Sequence, residues 1–254
     1  MTEYTTTFYE KQSDGSARSA EQIVPMVLDL ARGIQSVVDV GCGVGTFLAA
    51  FRNHGVGFVQ GVDGGYVNRD LLRIDDREFL AHDLSELLRL DRRFDLAISL
   101  EVAEHLPPAR ARSFVGDLAR LSDLVLFSAA IPGQGGTQHV NEQWQDYWAG
   151  EFMSLGYNAI DAIRGRIWHL AGIEPWYCQN TLLYANPAAL ERYPRLLSDR
   201  VSSLPSLRVV HPQTWLRQPG PKELLRTIGQ AIPTYFRKAG QRLTAQSRKS
   251  LRAQ

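Results

Sequence analysis

"VVDVGCGVGTFL", residues 37–48, decides how this chain folds. Its first half is apolar and β-branched, the composition of a strand covered on both faces. Its second half places glycines at 41, 43 and 45 and then returns to an apolar run of helical period. A strand that enters a glycine loop and then a helix opens a doubly wound α/β domain, whose ligands sit beyond the carboxyl ends of the strands. Glycine loops before a helix usually cradle phosphate. Here Asp39 stands two residues before the first glycine, where it would repel one.

Working outward, "SAEQIVPMVLDLARG" (19–33) has helical spacing and closes on Gly33, and "GTFLAAFRNHG" (45–55) reads as the helix after the loop. Further strands are expected at 57–63, 78–84, 93–102 and 124–130, with a helix over 108–123. "LVLFSAA" (124–130) is the most apolar of these and belongs at the sheet centre. After a long loop, 131–140, Asn141 is placed to cap a helix carrying Trp144, Trp148, Phe152 and Leu155. "YNAIDAIRG" (157–165) and "PWYCQNTLLYANP" (175–187) read as two consecutive late strands, an antiparallel pair at one edge. Strands alternating with helices predict an α/β fold: a seven-stranded, mostly parallel, doubly wound sheet with an antiparallel edge strand. Residues 1–18 read as an N-terminal segment, 19–190 as the main domain and 191–254 as a C-terminal extension.

Composition narrows the class. The 254 residues are 44% hydrophobic and 22% charged, ordinary for a globular protein, and no apolar run approaches the ~20 residues of a membrane span. "MTEYTTTFYEKQSDGS" lacks the apolar stretch of a secretory signal, and two cysteines, Cys42 and Cys178, make no disulfide framework. A cytoplasmic location is the expectation. The net charge of +1 conceals an asymmetry: residues 1–194 sum to −9 and residues 195–254 to +10.

Two phosphate fingerprints fail at the glycine loop. G-x-G-x-x-G would need glycine where Thr46 stands, and no Gly-Lys-Ser/Thr follows for a P-loop. A carboxylate beside small residues favours a cation, and S-adenosylmethionine has an ammonium, a sulfonium and no phosphate. Asp63, in "GVDGG", ends the second strand and can accept both hydroxyls of a ribose; Asp83, in "AHDL", follows the third and can receive the adenine amino group. "SLEVAEH" (99–105) closes the fourth strand. This set resembles the class I S-adenosylmethionine-dependent methyltransferases, with their Rossmann-like fold, over about residues 19–185. The resemblance implies that Asp39 lies near the methionine end of the cofactor. It implies backbone contacts from Gly41, Cys42 and Gly43, ribose at Asp63 with Gly64, adenine at Asp83 with Leu84, and Glu101 beside the sulfonium. Tyr9 and Gln12 would belong to a lid closing over the cofactor.

Methyl transfer to an alcohol needs alignment and a proton acceptor. The richest stretch for both is "PGQGGTQHVNEQWQDYW" (132–148). His139 is the candidate general base, Glu142 its orienting carboxylate and His105 the second candidate. Asn141, Trp144, Tyr147 and Trp148 offer polar and aromatic surface for a sugar ring or a polycycle. His139, Glu142 and Asp146 are a weaker candidate set for Mg²⁺, which would anchor a diol. The stretch is similar to bacterial sugar and secondary-metabolite O-methyltransferases, among them those of methylated mannose polysaccharides. An N-methyltransferase of a small amine and a non-catalytic cofactor-binding scaffold are the alternatives. Residues 221–252 put apolar side chains at helical steps among arginines, which suits an anionic membrane surface or a homodimer contact. Nucleic acid fits less well, because the catalytic region is acidic.

Overall fold

The valines of residues 37–40 form a strand and divide between two cores. In the computed structural model, which describes residues 6–215 and side chains from Gly15 onward, β1 runs Ser36–Val40. Val37 packs into one hydrophobic core, and Val38 and Val40 into the other. Successive strand residues point to opposite faces, so β1 is buried on both. The remaining strands are β2 (Phe58–Asp63), β3 (Phe79–Ala81), β4 (Leu96–Leu100), β5 (Leu124–Ser128), β6 (Asn158–Ile160) and β7 (Leu182–Ala185). The alternation repeats in β5, where Leu124 and Leu126 face the first core and Val125 and Phe127 the second.

The sheet order is β3-β2-β1-β4-β5-β7-β6. β1 to β5 are parallel to one another, while β7 runs antiparallel to both β5 and β6. The seven-stranded, doubly wound α/β architecture is therefore as the sequence predicts, with the antiparallel pair at one edge. The chain builds outward from β1 to β3 and then returns to lay β4 on the other side of β1. That reversal opens a crevice at the carboxyl ends of β1 and β4.

The helices are α1 (Thr6–Leu30), α2 (Thr46–Asn53), α3 (Ala111–Leu121), α4 (Gln145–Ser154), α5 (Arg164–Ile167), α6 (Pro175–Asn180), α7 (Pro187–Arg192) and α8 (Pro212–Trp215). α1 buries Ala20, Ile23, Val24 and Val27 in the first core, a stripe at three- and four-residue steps. α3 buries Phe114, Val115 and Leu118 in the second.

Four expectations need correction. The first helix begins at Thr6, not at 19, so most of the presumed lid is continuous with α1. Residues 175–180 are helical: Pro175 occupies the first helical position, where its missing N–H costs nothing, and α5 and α6 separate β6 from β7. Asn141 caps nothing. α4 starts at Gln145 with Trp144 as its N-cap, so Glu142 lies before the helix. Finally, Leu196 and Leu207 are buried in the two cores, so the stretch after 190 still belongs to the domain. The compact unit of the described residues ends at Trp215. The basic tail beyond it lies outside the described residues, as do the side chains of Tyr9 and Gln12. Among the described residues no helix is long and apolar enough to cross a membrane.

Candidate functional site

The glycine loop turns because three of its residues adopt left-handed backbone: Gly41 at φ 90°, Gly43 at 52° and Gly45 at 80°. At Gly41 a side chain is excluded twice, since a Cβ would also collide with Val102. The Gly41 N–H donates to the Val62 carbonyl at 2.7 Å, which ties the loop to the end of β2. The Gly43 N–H donates to Asp63 Oδ2 at 2.7 Å, and the Gly64 N–H and the Tyr66 hydroxyl both donate to Oδ1 at 2.6 Å. Asp63 thus braces the loops after β1 and β2 against each other. Its Oδ2 keeps acceptor capacity for a further hydroxyl.

These loops border a cavity of about 1170 Å³ at the sheet crevice. That exceeds the roughly 300–1,000 Å³ of a site for one small ligand, so a cofactor and an acceptor can share it. It brings together Asp39, the loop 41–44, Asp63 with Gly64, Asp83 with Leu84, and Glu101. Cys42, in this lining, and Cys178 are both free and buried. Asp39 is 4% exposed and has no hydrogen-bond partner among the described residues. Burial pushes its pKa well above the usual carboxylate range, and neighbouring Asp63 adds to the rise. A carboxylate so placed suits a ligand bearing a cation. Asp83 is exposed at the rim, and the Ser85 hydroxyl and N–H hold its pKa below the ordinary value. Among the described residues that line the cavity there is no Lys or Arg.

At the end of β4 the backbone of Glu101 is left-handed, φ 57°, an uncommon state for a side-chain-bearing residue. Its N–H donates to the Ser128 carbonyl at 3.0 Å. Its carboxylate accepts from Gln134 Nε2 at 2.8 Å and Asn180 Nδ2 at 3.1 Å. Burial raises the Glu101 pKa, and these donors oppose the rise. Gln134 Oε1 in turn accepts from Gln179 and Asn180, both at 2.9 Å, so α6 clamps the loop 131–140. Gln134 went unnoticed in sequence, because a glutamine between glycines carries no periodic signal. Trp176 and Tyr177, read in sequence as strand residues, stand on α6 and line the cavity. Pro175 ahead of them was the available clue.

His139 Nδ1 lies 2.9 Å from Glu142 Oε1. The other demands on Glu142 come from the Gly133 and Gly135 N–H groups, at 2.8 and 3.2 Å. Burial raises the Glu142 pKa, but the His139 hydrogen bond and these N–H groups outweigh it and leave the group lowered. The His139 ring stands edge-on to His105, centroids 4.8 Å apart, and His105 lines the cavity. Burial, then His139, lowers the His105 pKa, so its imidazole is neutral near pH 7. The dyad can accept a proton, with Glu142 setting the tautomer.

The proposed acceptor surface is not assembled. Trp148 is 1% exposed and packs on Phe127 in the core. Tyr147 faces solvent against the edge of Trp148, Trp144 caps α4, and Asn141 is buried with its N–H on the Glu104 carbonyl at 3.0 Å. None of the four lines the cavity, and neither do His139 and Glu142, whose neighbour on the lining is His105. The set His139, Glu142 and Asp146 also fails as a metal site, because Asp146 pairs with Arg208 at 2.8 Å.

Residues 9–166 match the family model of a methyltransferase domain. The chain belongs to that family. This class I methyltransferase uses S-adenosylmethionine as its methyl donor, and a buried Asp39 beside the glycine loop, without a hydrogen-bond partner among the described residues, suits that cation. No curated protein sequence matches it. Among solved structures, an O-methyltransferase family protein from Burkholderia thailandensis is 18% identical, with TM-score 0.53, covering 72% of this chain and 61% of its own. CalS10 with bound S-adenosylmethionine, an amino pentose methyltransferase from Micromonospora echinaspora, is 13% identical, with TM-score 0.53 and coverages of 72% and 98%. Streptomyces venezuelae DesVI is 23% identical with TM-score 0.42, and the methyltransferase spans 51% of its own chain there and 58% of that one. At these identities the likeness is one of fold.

Proposed function

We propose that this methyltransferase methylates a hydroxyl of a neutral, polar small molecule, a sugar or a similar polyol, with the His139–Glu142 dyad as general base. The observation that carries the reading is the dyad itself: His139 Nδ1 is held at 2.9 Å by a carboxylate that two loop N–H groups fix in place. Bound in the cavity, S-adenosylmethionine supplies an electrophilic methyl group on a sulfonium. Asp39 receives its ammonium, Asp63 with Gly64 its ribose hydroxyls and Asp83 with Leu84 the adenine, while Gly41, Cys42 and Gly43 offer backbone and Glu101 stands by the sulfonium. His139 Nε2 takes the acceptor proton while Glu142 stabilises the imidazolium. A lining without Lys or Arg supports an acceptor free of phosphate or carboxylate.

His139→Ala tests this. An O-methyltransferase should lose ~10²–10⁴-fold in kcat and keep its affinity for S-adenosylhomocysteine. Turnover within a few-fold of wild type would exclude the base. The acidic lining also suits a small amine, whose methylation needs no base once the amine is neutral. Amine turnover that survives His139→Ala would favour that second reading.

A further inference from the structure

Glu104 is the carboxylate to which the reading above gives no task. It lies in the short 3-10 turn Ala103–His105 after β4 and is 0% exposed. Both its carboxylate oxygens are fully buried and neither has a well-formed hydrogen bond among the described residues; only the Glu104 and Ala130 N–H groups bear on it. A buried carboxylate left uncompensated costs several kcal/mol, so its occurrence needs a reason, and an ion is one. The same turn anchors the loop that carries His139: the Glu104 carbonyl accepts the Val140 and Asn141 N–H groups at 2.9 and 3.0 Å. One ligand atom each from Glu104, His105 and His139 all lie within 4.8 Å of one another. Tetrahedral donors ~2.1 Å from an ion stand about 3.4 Å apart, so the three atoms need to draw in by about 1.4 Å at most to close the set.

We propose that Glu104, His105 and His139 bind a divalent first-row transition ion of the zinc class, with an open coordination position toward the cavity. His139 has the outer partner that such a ligand uses: Nδ1 on the Glu142 carboxylate at 2.9 Å, which fixes the ring and leaves Nε2 to coordinate. Gly136 gives that nitrogen its room, since a Cβ there would collide with Nε2. His105 stands edge-on at 4.8 Å and lines the cavity. Two imidazoles and one carboxylate select Zn²⁺, Mn²⁺ or Fe²⁺ over Mg²⁺, which prefers oxygen ligands and water. The set is not the His139, Glu142 and Asp146 trio considered from sequence.

The existence of the site is independent of the acceptor. What the ion does rests on the transferase reading above: the open position takes the acceptor hydroxyl oxygen, and the ion lowers its pKa so that the proton passes to water. In that state His139 is a ligand rather than a base.

The test uses the full chain without a histidine tag, stripped with a chelator. It is titrated with Zn²⁺, Mn²⁺ and Mg²⁺ by calorimetry, and S-adenosylhomocysteine binding is measured on every sample as a check of folding. One equivalent of Zn²⁺ or Mn²⁺ is expected. Affinity should fall at least ~10–100-fold in Glu104→Gln and in His139→Ala, and ~10-fold in Glu142→Gln. The exposed His169→Ala should bind as wild type does. Failure of stripped wild type to bind Zn²⁺ or Mn²⁺ while it still binds S-adenosylhomocysteine overturns the site. So does uptake unchanged in both Glu104→Gln and His139→Ala. Turnover restored to the stripped enzyme by the ion supports the catalytic role. Full turnover without it removes that role and leaves the His139 base standing.

Discussion

Asp39 shows how burying one carboxylate beside a cavity ties its charge to stability. Sequence placed it beside the glycine loop, and the structure buries it to 4% exposure without a partner, near a second carboxylate. Its pKa in the folded, cofactor-free enzyme is raised above the 3.8 of an ordinary aspartate. The neutral form is therefore the one the fold tolerates. Its stability contribution is complete below about pH 3.8 and is lost as pH rises through the raised pKa, with a slope of at most ~1.4 kcal/mol per pH unit. Asp39→Asn should consequently melt with the wild type near pH 4 and increasingly above it as pH rises through the raised pKa, measured by thermal unfolding without cofactor. A gain that shrinks as pH rises would refute the assignment. The same variant should bind S-adenosylmethionine ~10–100-fold more weakly by calorimetry, the loss of a charge-assisted contact of about 1.5–3 kcal/mol. His139 and Glu142 were equally visible as residue types, but their 2.9 Å contact was not. The orphaned state of Glu104 depends on what surrounds it and leaves no trace in the motif "EVAEH".

Among the elements, the glycine loop was the most legible and α6 the least. The loop must turn sharply after a buried strand, and only glycine takes left-handed backbone there without strain. Gly41→Ala should destabilise the domain by about 2–4 kcal/mol, combining left-handed strain with the clash on Val102, and should abolish cofactor binding. Gly57→Ala is the control: its backbone is ordinary, and the nearest atom to an added Cβ is the Gln35 carbonyl at 3.9 Å. Chemical denaturation that finds the two alike would show that the loop relaxes. The run 175–187 read as a strand because its aromatic residues and the apolar run after Thr181 mask a short helix. Only packing decides between the two, and here α6 turns Gln179 and Asn180 onto Gln134 rather than onto a strand neighbour. Trp148 misled for a related reason. Aromatic residues in a polar stretch suggest a sugar platform, but the face of α4 that holds Trp148 and Phe152 covers the sheet.

For the chain taken together, the charge division and the fold division fall at different places. The sum changes sign near residue 195, yet Leu196 and Leu207 still complete the two cores, and the compact unit ends at Trp215. A chain cut after Trp215 should therefore fold, melt within a few degrees of the full chain and bind S-adenosylhomocysteine equally well, by scanning fluorimetry and calorimetry. A cut after Leu190 should lose the two buried leucines and with them several kcal/mol, about 2–5 for each. Equal melting temperatures for the two truncations would contradict the assignment of 191–215 to the domain. If the basic tail seats the enzyme on anionic membranes, as its composition suggests, vesicles rich in acidic lipid should retain the full chain and release the shorter one as salt is raised.

By itself the sequence determined the strand and glycine loop that border the cavity, because a buried strand needs apolar residues on both faces and a tight turn needs glycine, and both are local demands written in composition. Tertiary structure alone decided which polar side chains meet beside that cavity. Whether His139 meets Glu142, whether Glu104 is stranded, and whether a tryptophan faces ligand or core depend on contacts between residues far apart in the chain, whose energies exist only once the sheet and its helices have closed on one another.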